Sequence, residues 1–288
     1  MTGPTTLPRW PLVALFLSSA LLAFGPMLVR IADTGPIASA FWRMTLAAPV
    51  LMAIAFAMRR REAAPVPLRA LPWGMALVAG GFFAADLAAW HLGIVRTTTA
   101  NATLFANTAA FILAGWAIVI KRERPAPATL RALALAFAGA LLLFGTSAQV
   151  SAAHLAGDLL SLLAAAFYTG YLLAIMRLRD RLTTSTVLAM STMMSVALLL
   201  PAAVLEPAAF WPTDWRPVTA LAVSSQLVGQ GLMVFASGRL PAFIVGIGLL
   251  VQPLVSAAAG WLVFGETLSP LEILGAGLIA AALVLIRR

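Results

Sequence analysis

The sequence predicts an all-α integral membrane protein, with ten transmembrane helices forming two inverted five-helix repeats. Three observations predict it: apolar runs of span length, a scarcity of charge, and an internal echo at a fixed offset. Hydrophobic residues make up 62% of the 288 residues and charged residues 10%, where a soluble domain carries about 25% charged residues. Mean hydropathy is +0.98, and the apolar runs approach the about 20 residues that a helix needs to cross a bilayer. The echo lies 143 residues on. Arg96 falls on Arg239, Glu123 on Glu266 and Pro127 on Pro270, and Ala23-Phe24 falls on Ala166-Phe167, all without a gap. Two homologous halves, 1–148 and 155–288, follow from it.

In chain order the spans are 11–31, 36–58, 72–93, 98–120, 128–146, 156–176, 184–204, 215–236, 242–264 and 269–286. The first run resembles a signal peptide only superficially, because it has the length of a full span and no small-x-small cleavage site follows. The connections are short and rich in Pro, Gly and Arg, such as Thr34-Gly35-Pro36, Pro65 to Pro72 and Arg122 to Pro127. None is long enough for a soluble domain.

Orientation comes from Lys and Arg, which concentrate in cytoplasmic loops. In this span order 15 of the 19 basic residues fall on one side, from Arg9 and Arg59-Arg60-Arg61 to Arg287 and Arg288. The other side holds Arg30, Arg96 and Arg216, and Arg43 lies within a span. Both termini are therefore expected in the cytoplasm, and the membrane is expected to be of the bacterial inner (plasma) type. The net charge of +9 reads as this topology signal rather than as a nucleic-acid footprint. Five spans per half is an odd number, so the second half inserts upside down. Inverted repeats let two related halves exchange conformations and alternate access to a midplane site.

Composition also excludes chemistry. There is no cysteine and there are only two histidines, so disulfides, thiolate metal sites and a zinc centre are not expected. No phosphate-binding Gly-Lys-Ser/Thr motif occurs. No cofactor, metal or catalytic residue is expected, and the chain is not read as an enzyme.

The run Gly93-Ile94-Val95-Arg96-Thr97-Thr98-Thr99-Ala100-Asn101-Ala102, followed by Glu123, resembles the first EamA domain of the drug/metabolite transporter superfamily. Arg239-Leu240-Pro241-Ala242, Pro253, Gly265-Glu266-Thr267, Pro270 and Gly275 resemble the second. The resemblance covers essentially the whole chain. It implies a ten-helix exporter whose central cavity is lined by helices 1–4 and 6–9, with helices 5 and 10 peripheral. Within the family it leans towards the amino-acid exporters, including the aromatic amino-acid type. The halves depart from each other at Ala110 against Pro253 and Arg122 against Gly265. Helix 1 lacks the membrane Glu of the small multidrug transporters, so their proton-coupling scheme does not carry over.

Ionisable groups within a span are costly and functional by default. Arg43 and Asp86 fall at similar depth, about two turns from the outer ends of helices 2 and 3. They are expected to form an ion pair, either as a pin between helices or as a grip on a zwitterion's carboxylate and ammonium. Trp90 follows Asp86 on the same helical face, whereas the other tryptophans read as an interfacial belt. His91 is either a proton sensor or an interfacial ring bonded to backbone. Thr103, Asn107 and Phe111 share a face of helix 4. Gln226 and Gln230 share a face of helix 8, and Gly248, Gln252 and Ser256 a face of helix 9, where Pro253 interrupts the backbone. Phe24, Tyr168 and Tyr171 are candidates for an aromatic wall. Buried amides and rings of this kind serve equally as glue between helices. Glu123 and Glu266 are expected to cap helices 5 and 10 or to make loop contacts there, rather than to serve transport chemistry.

The expected partners are a small-molecule substrate, an amino acid or related metabolite, and the lipid bilayer; nothing requires more than a monomer. Rival readings are export of drugs or other metabolites on the same fold, an intramembrane enzyme, and a non-transporting membrane subunit. A phosphorylated cargo would want several buried cations, and Arg43 alone is available.

Overall fold

The computed structural model describes residues 9–145, 152–264 and 269–285, and among these every regular element is helical. The helices are α1 (Arg9–Leu22), α2 (Gly25–Ile31), α3 (Pro36–Arg59), α4 (Trp73–Ile94), α5 (Thr99–Asn107), α6 (Ala109–Val119) and α7 (Pro127–Gly145). They continue with α8 (Leu155–Arg179), α9 (Thr184–Leu205), α10 (Trp215–Ala220), a π-helix (Leu221–Gln230), α11 (Gly231–Ser237), α12 (Ala242–Leu249), α13 (Val251–Phe264) and α14 (Pro270–Leu285).

Seven helical stretches are long and apolar enough to cross a membrane: Arg9–Ile31, Pro36–Arg59, Trp73–Ile94, Asn101–Val119, Leu155–Arg179, Thr184–Leu205 and Trp215–Ser237. Pro127–Leu143, Ala242–Ala258 and Pro270–Leu285 are apolar but shorter, about 25 Å at 1.5 Å per residue. All three fall where the sequence places the fifth, ninth and tenth spans. Apolar residues such as Leu17, Phe56, Leu141 and Leu159 remain exposed around the bundle, as a lipid-facing surface requires.

Helix packing rests on small residues rather than on a solvent-driven core. Helix α7 lies against α14, its partner at the 143-residue offset. A Cβ on Gly139 would sit 2.6 Å from the Gly275 carbonyl oxygen, and one on Gly275 would sit 2.5 Å from the Leu143 nitrogen. Only glycine permits that approach. The centre of the bundle is α4 packed on α8 and α9, with α3 also against α9.

Two loops meet at one end of the bundle, 32–35 and 206–214. Asp33 accepts from the Thr213 hydroxyl and from the backbone N–H groups of Thr213 and Asp214 at 3.0 and 2.9 Å. The Gly35 N–H donates to the Ala209 carbonyl at 2.8 Å. Glu206 accepts from the N–H groups of Ile37 and Ala38 at 3.0 and 3.1 Å. It thereby caps α3, a helix that begins Gly-Pro and has no capping side chain of its own. Trp42, Trp211 and Trp215 join Phe41 and Phe210 in one aromatic cluster beside these bonds. They therefore pack on one another rather than spreading around an interfacial ring.

Of the two structural roles expected for Glu123, a place in the loop rather than at the cap of helix 5 is what the structure shows. Helix α7 starts at Pro127, and Glu123 lies in the preceding turn, where its N–H donates to the Ala117 carbonyl at 3.0 Å. Glu266 lies outside the described residues. Helix α14 is opened instead by Ser269 and Glu272. The Ser269 N–H reaches the Glu272 carboxylate at 2.7 Å and the Glu272 N–H reaches the Ser269 hydroxyl at 3.3 Å, a reciprocal capping box.

Candidate functional site

Four of the spans are not continuous α-helices, and their irregular turns converge on one cavity. The first breaks at Ala23-Phe24, between α1 and α2. Pro26 follows the break; it cannot donate and releases the Leu22 carbonyl. The fourth breaks at Thr108, whose N–H and hydroxyl both turn back to the Phe105 carbonyl at 3.1 and 2.6 Å. The ninth breaks at Leu250, whose N–H reaches Ile247 at 3.1 Å; Pro253 cannot donate to the carbonyl of Leu249. The eighth widens into the ten-residue π-helix, a form that is rare at such length. Its wider turn allows the Ser18 hydroxyl of α1 to donate to the Gly229 carbonyl at 2.8 Å.

The cavity holds about 580 Å³ of empty space, counting the part that opens outward. Leu22, Ala106, Asn107, Ala109, Leu249 and Gln252 reach it from the three breaks, and Ser225 and Gln230 from the π-helix. Regular helices supply the rest: Arg43 from α3, Phe83, Asp86, Leu87 and Trp90 from α4, and Ala165 and Tyr168 from α8. Leu22 and Ala165, Leu87 and Gln230, Ala106 and Leu249, and Ala109 and Gln252 are each separated by 143 residues.

The walls are mostly apolar, but several polar atoms on them are left without a partner. Arg43 is 2% exposed and Asp86 8% exposed. The expected ion pair between them is not formed. Among the described residues the ion pair present is Arg216 with Asp214, at 3.4 Å on the surface. Arg43 projects from α3 and Asp86 from α4, and both face the cavity instead of closing on each other. The Arg43 Nε, Trp90 Nε1, Ser225 Oγ and Gln230 Oε1 atoms are buried without hydrogen bonds. Buried polar groups are almost always paired, and these four belong to residues that line one cavity. Asn107 is partly engaged, its Nδ2 donating to the Thr103 carbonyl at 2.7 Å. Trp90 is seated by a close approach, since a Cβ on Gly25 would lie 2.7 Å from its ring.

Arg43, Asp86, Trp90, Asn107, Tyr168, Gln230 and Gln252 are thus brought together, whereas six other sequence candidates lie elsewhere. Phe24 sits at the first helix break and is 41% exposed, so it does not complete an aromatic wall. Tyr171 is buried in a stack on Phe83, ring centroids 4.3 Å apart. Phe111 packs edge-on against Phe137 at 5.1 Å. Thr103 is buried and supplies its carbonyl to Asn107. Gln226 donates to the Thr192 hydroxyl at 3.0 Å, and Ser256 donates to the Ala23 carbonyl at 3.4 Å. His91 is fully buried, and its Nδ1 lies 3.0 Å from the Pro36 carbonyl and 2.7 Å from Ser39 Oγ. A proton on Nδ1 serves both contacts, which is the backbone-bonded alternative for this ring.

Sequence reasoning missed Ser225, Phe83 and Leu87 on the cavity, and Asp158 away from it. Asp158 is buried in the first turn of α8 and accepts from Thr97 Oγ1 at 2.6 Å and Asn101 Nδ2 at 2.9 Å. Among the described residues no group of His, Asp and Glu side chains could hold a metal ion.

Comparison with known proteins accords with this architecture. The model of the EamA-like transporter family matches residues 9–145 and 155–288. The chain belongs to the EamA-like transporter family. A solved crystal structure covers 96% of this chain and 94% of its own at a TM-score of 0.78 and 18% identity, and so shares the fold. No curated protein matches the chain. An EamA-like protein of this kind is a multi-pass membrane protein of a small-molecule transporter family. Its interrupted helices agree with that assignment, because broken spans in transporters gather at the binding site.

Proposed function

We propose that this protein exports amino acids, those with aromatic or hydrophobic side chains first, from the cytoplasm across an inner membrane. The cavity between the halves is the substrate site. One observation carries the reading: a buried guanidinium and a buried carboxylate face the same apolar cavity without closing into an ion pair. A zwitterion offers a carboxylate to Arg43 and an ammonium to Asp86, while Phe83, Trp90 and Tyr168 surround the side chain. The charges left incomplete in the protein are completed by the ligand.

Ten spans in two inverted halves, 1–148 and 155–288, with cytoplasmic termini, supply the alternating access. The pairing of cavity residues at the 143-residue offset supports this reading, since a pseudo-twofold axis through the cavity would bring equivalent positions to it. The rupture of the fourth and ninth spans near equivalent positions, Thr108 and Leu250, supports it too. Transport is facilitative. Asp86 is the carboxylate on the cavity, and Asp158, the other buried one among the described residues, is occupied by Thr97 and Asn101.

Uptake of a labelled amino-acid panel into liposomes holding the purified protein tests this. Saturable uptake of aromatic amino acids, unchanged by a pH gradient, is the expected result. Absence of uptake of every amino acid by folded protein would remove the cargo assignment, and uptake that follows the gradient would remove the facilitative mechanism.

A further inference from the structure

The orphaned atoms on the cavity do not all belong to the charged grip. Ser225 Oγ and Gln230 Oε1 belong to the π-helix, a different element from the α3 and α4 that carry Arg43, Asp86 and Trp90, and both residues are almost fully buried. A helical serine ordinarily returns its hydroxyl to a carbonyl one turn back, as neighbouring Ser224 does to Ala220 at 2.6 Å. Ser225 Oγ makes no such bond. The Gln230 amide is held by its Nε2, which donates to the Tyr168 hydroxyl at 3.4 Å. That contact turns Oε1 away as a free acceptor.

We infer that Ser225 and Gln230 form a second subsite in the cavity, which accepts a hydrogen bond from an O–H or N–H donor on the side chain of the transported amino acid. The inference rests on the amino-acid reading above and deepens it. The ligand class is an amino acid whose apolar or aromatic side chain carries such a donor, a phenol being the simplest. Filling the acceptors with a purely apolar side chain leaves them desolvated and unpaired, which is the strongest form of discrimination a site has. The Tyr168 hydroxyl proton is not used by the Gln230 contact and adds a donor beside the two acceptors.

The test is uptake of labelled tyrosine and phenylalanine into liposomes holding the wild-type protein, Gln230→Met or Ser225→Ala. The wild type should transport tyrosine with kcat/KM about tenfold above phenylalanine, the size of one hydrogen bond to an otherwise unpaired group. Gln230→Met should bring the ratio close to one by lowering tyrosine transport more than phenylalanine transport. Ser225→Ala, a smaller change that removes little volume, should lower the ratio in the same direction. Equal rates for the two amino acids in the wild type would overturn the subsite while leaving the amino-acid reading intact. So would a ratio unchanged in Ser225→Ala and Gln230→Met. No transport of either amino acid by folded wild-type protein would overturn both.

Discussion

The joined loops at one end of the bundle and the cavity at its centre use the same kinds of polar group in opposite ways. Between loops 32–35 and 206–214, the carboxylates of Asp33 and Glu206 are filled by N–H and O–H donors from the other half. In the cavity, Arg43, Trp90, Ser225 and Gln230 keep buried atoms unpaired. A satisfied polar network holds a structure together, whereas an unsatisfied one is costly in an apolar bundle and persists where a ligand supplies the partner. The difference separates residues whose loss costs stability from residues whose loss costs recognition.

The largest effect is expected at Arg43. Arg43→Met removes the group proposed to meet the substrate carboxylate, and uptake should fall by at least about thirtyfold, the lower end for a buried charge contact. Asp86→Asn should weaken uptake in the same sense by removing the partner of the ammonium. Initial rates in liposomes at matched protein content measure both, and near wild-type rates would break the comparison from the cavity side.

Glu206→Ala comes next. It removes the carboxylate that caps α3, so stability in detergent should fall by about 1 kcal/mol. The relative preference among substrates should stay as in the wild type, because Glu206 bonds to Ile37 and Ala38, neither of which lines the cavity. A changed substrate preference with unaltered unfolding temperature would invert the roles given to the two regions.

The smallest effect concerns Asp33 and pH. The Thr213 hydroxyl above all, with the Asp214 N–H, holds the Asp33 carboxyl below its usual pKa of 3.8. A carboxylate depressed on folding contributes stability above its unfolded pKa and loses it as pH falls through the folded value. The unfolding-temperature difference between wild type and Asp33→Asn should therefore be constant from pH 8 to 5 and shrink only below about 4. A difference that changes around neutral pH would mean that another group carries the latch.

Much of this molecule was legible as sequence. Span length identifies the helices because the bilayer imposes it, and intramembrane charges are so rare that Arg43 and Asp86 stand out. Trp90, Asn107, Tyr168, Gln230 and Gln252 followed from helical spacing. The interruptions were less legible. Pro253 announced one and Pro26 could have announced another, but no residue in the fourth span marks the turn at Thr108. Nor does any mark the π-helix, which packs against α1 and α3. That is why Ser225 was missed and Gln226, one residue on, was preferred. Phe24 came from the internal echo, which sets it on Phe167 beside Tyr168, and an echo in sequence does not carry over a helix break that only one half has there. The capping box of Ser269 and Glu272 was readable as Ser-x-x-Glu, and the nearby Glu266 of the internal echo drew attention from it.

The central claim is that Arg43 and Asp86 are kept for the substrate and not for the fold. The double variant Arg43→Met/Asp86→Leu tests it most directly, with amino-acid uptake and unfolding temperature measured on the same preparation. Apolar residues in place of a buried charge pair are often neutral or stabilising by about 1–4 kcal/mol. The account predicts that uptake is abolished while the unfolding temperature is equal to or above that of the wild type. Retained uptake, or a protein that loses its fold together with its transport, would contradict it.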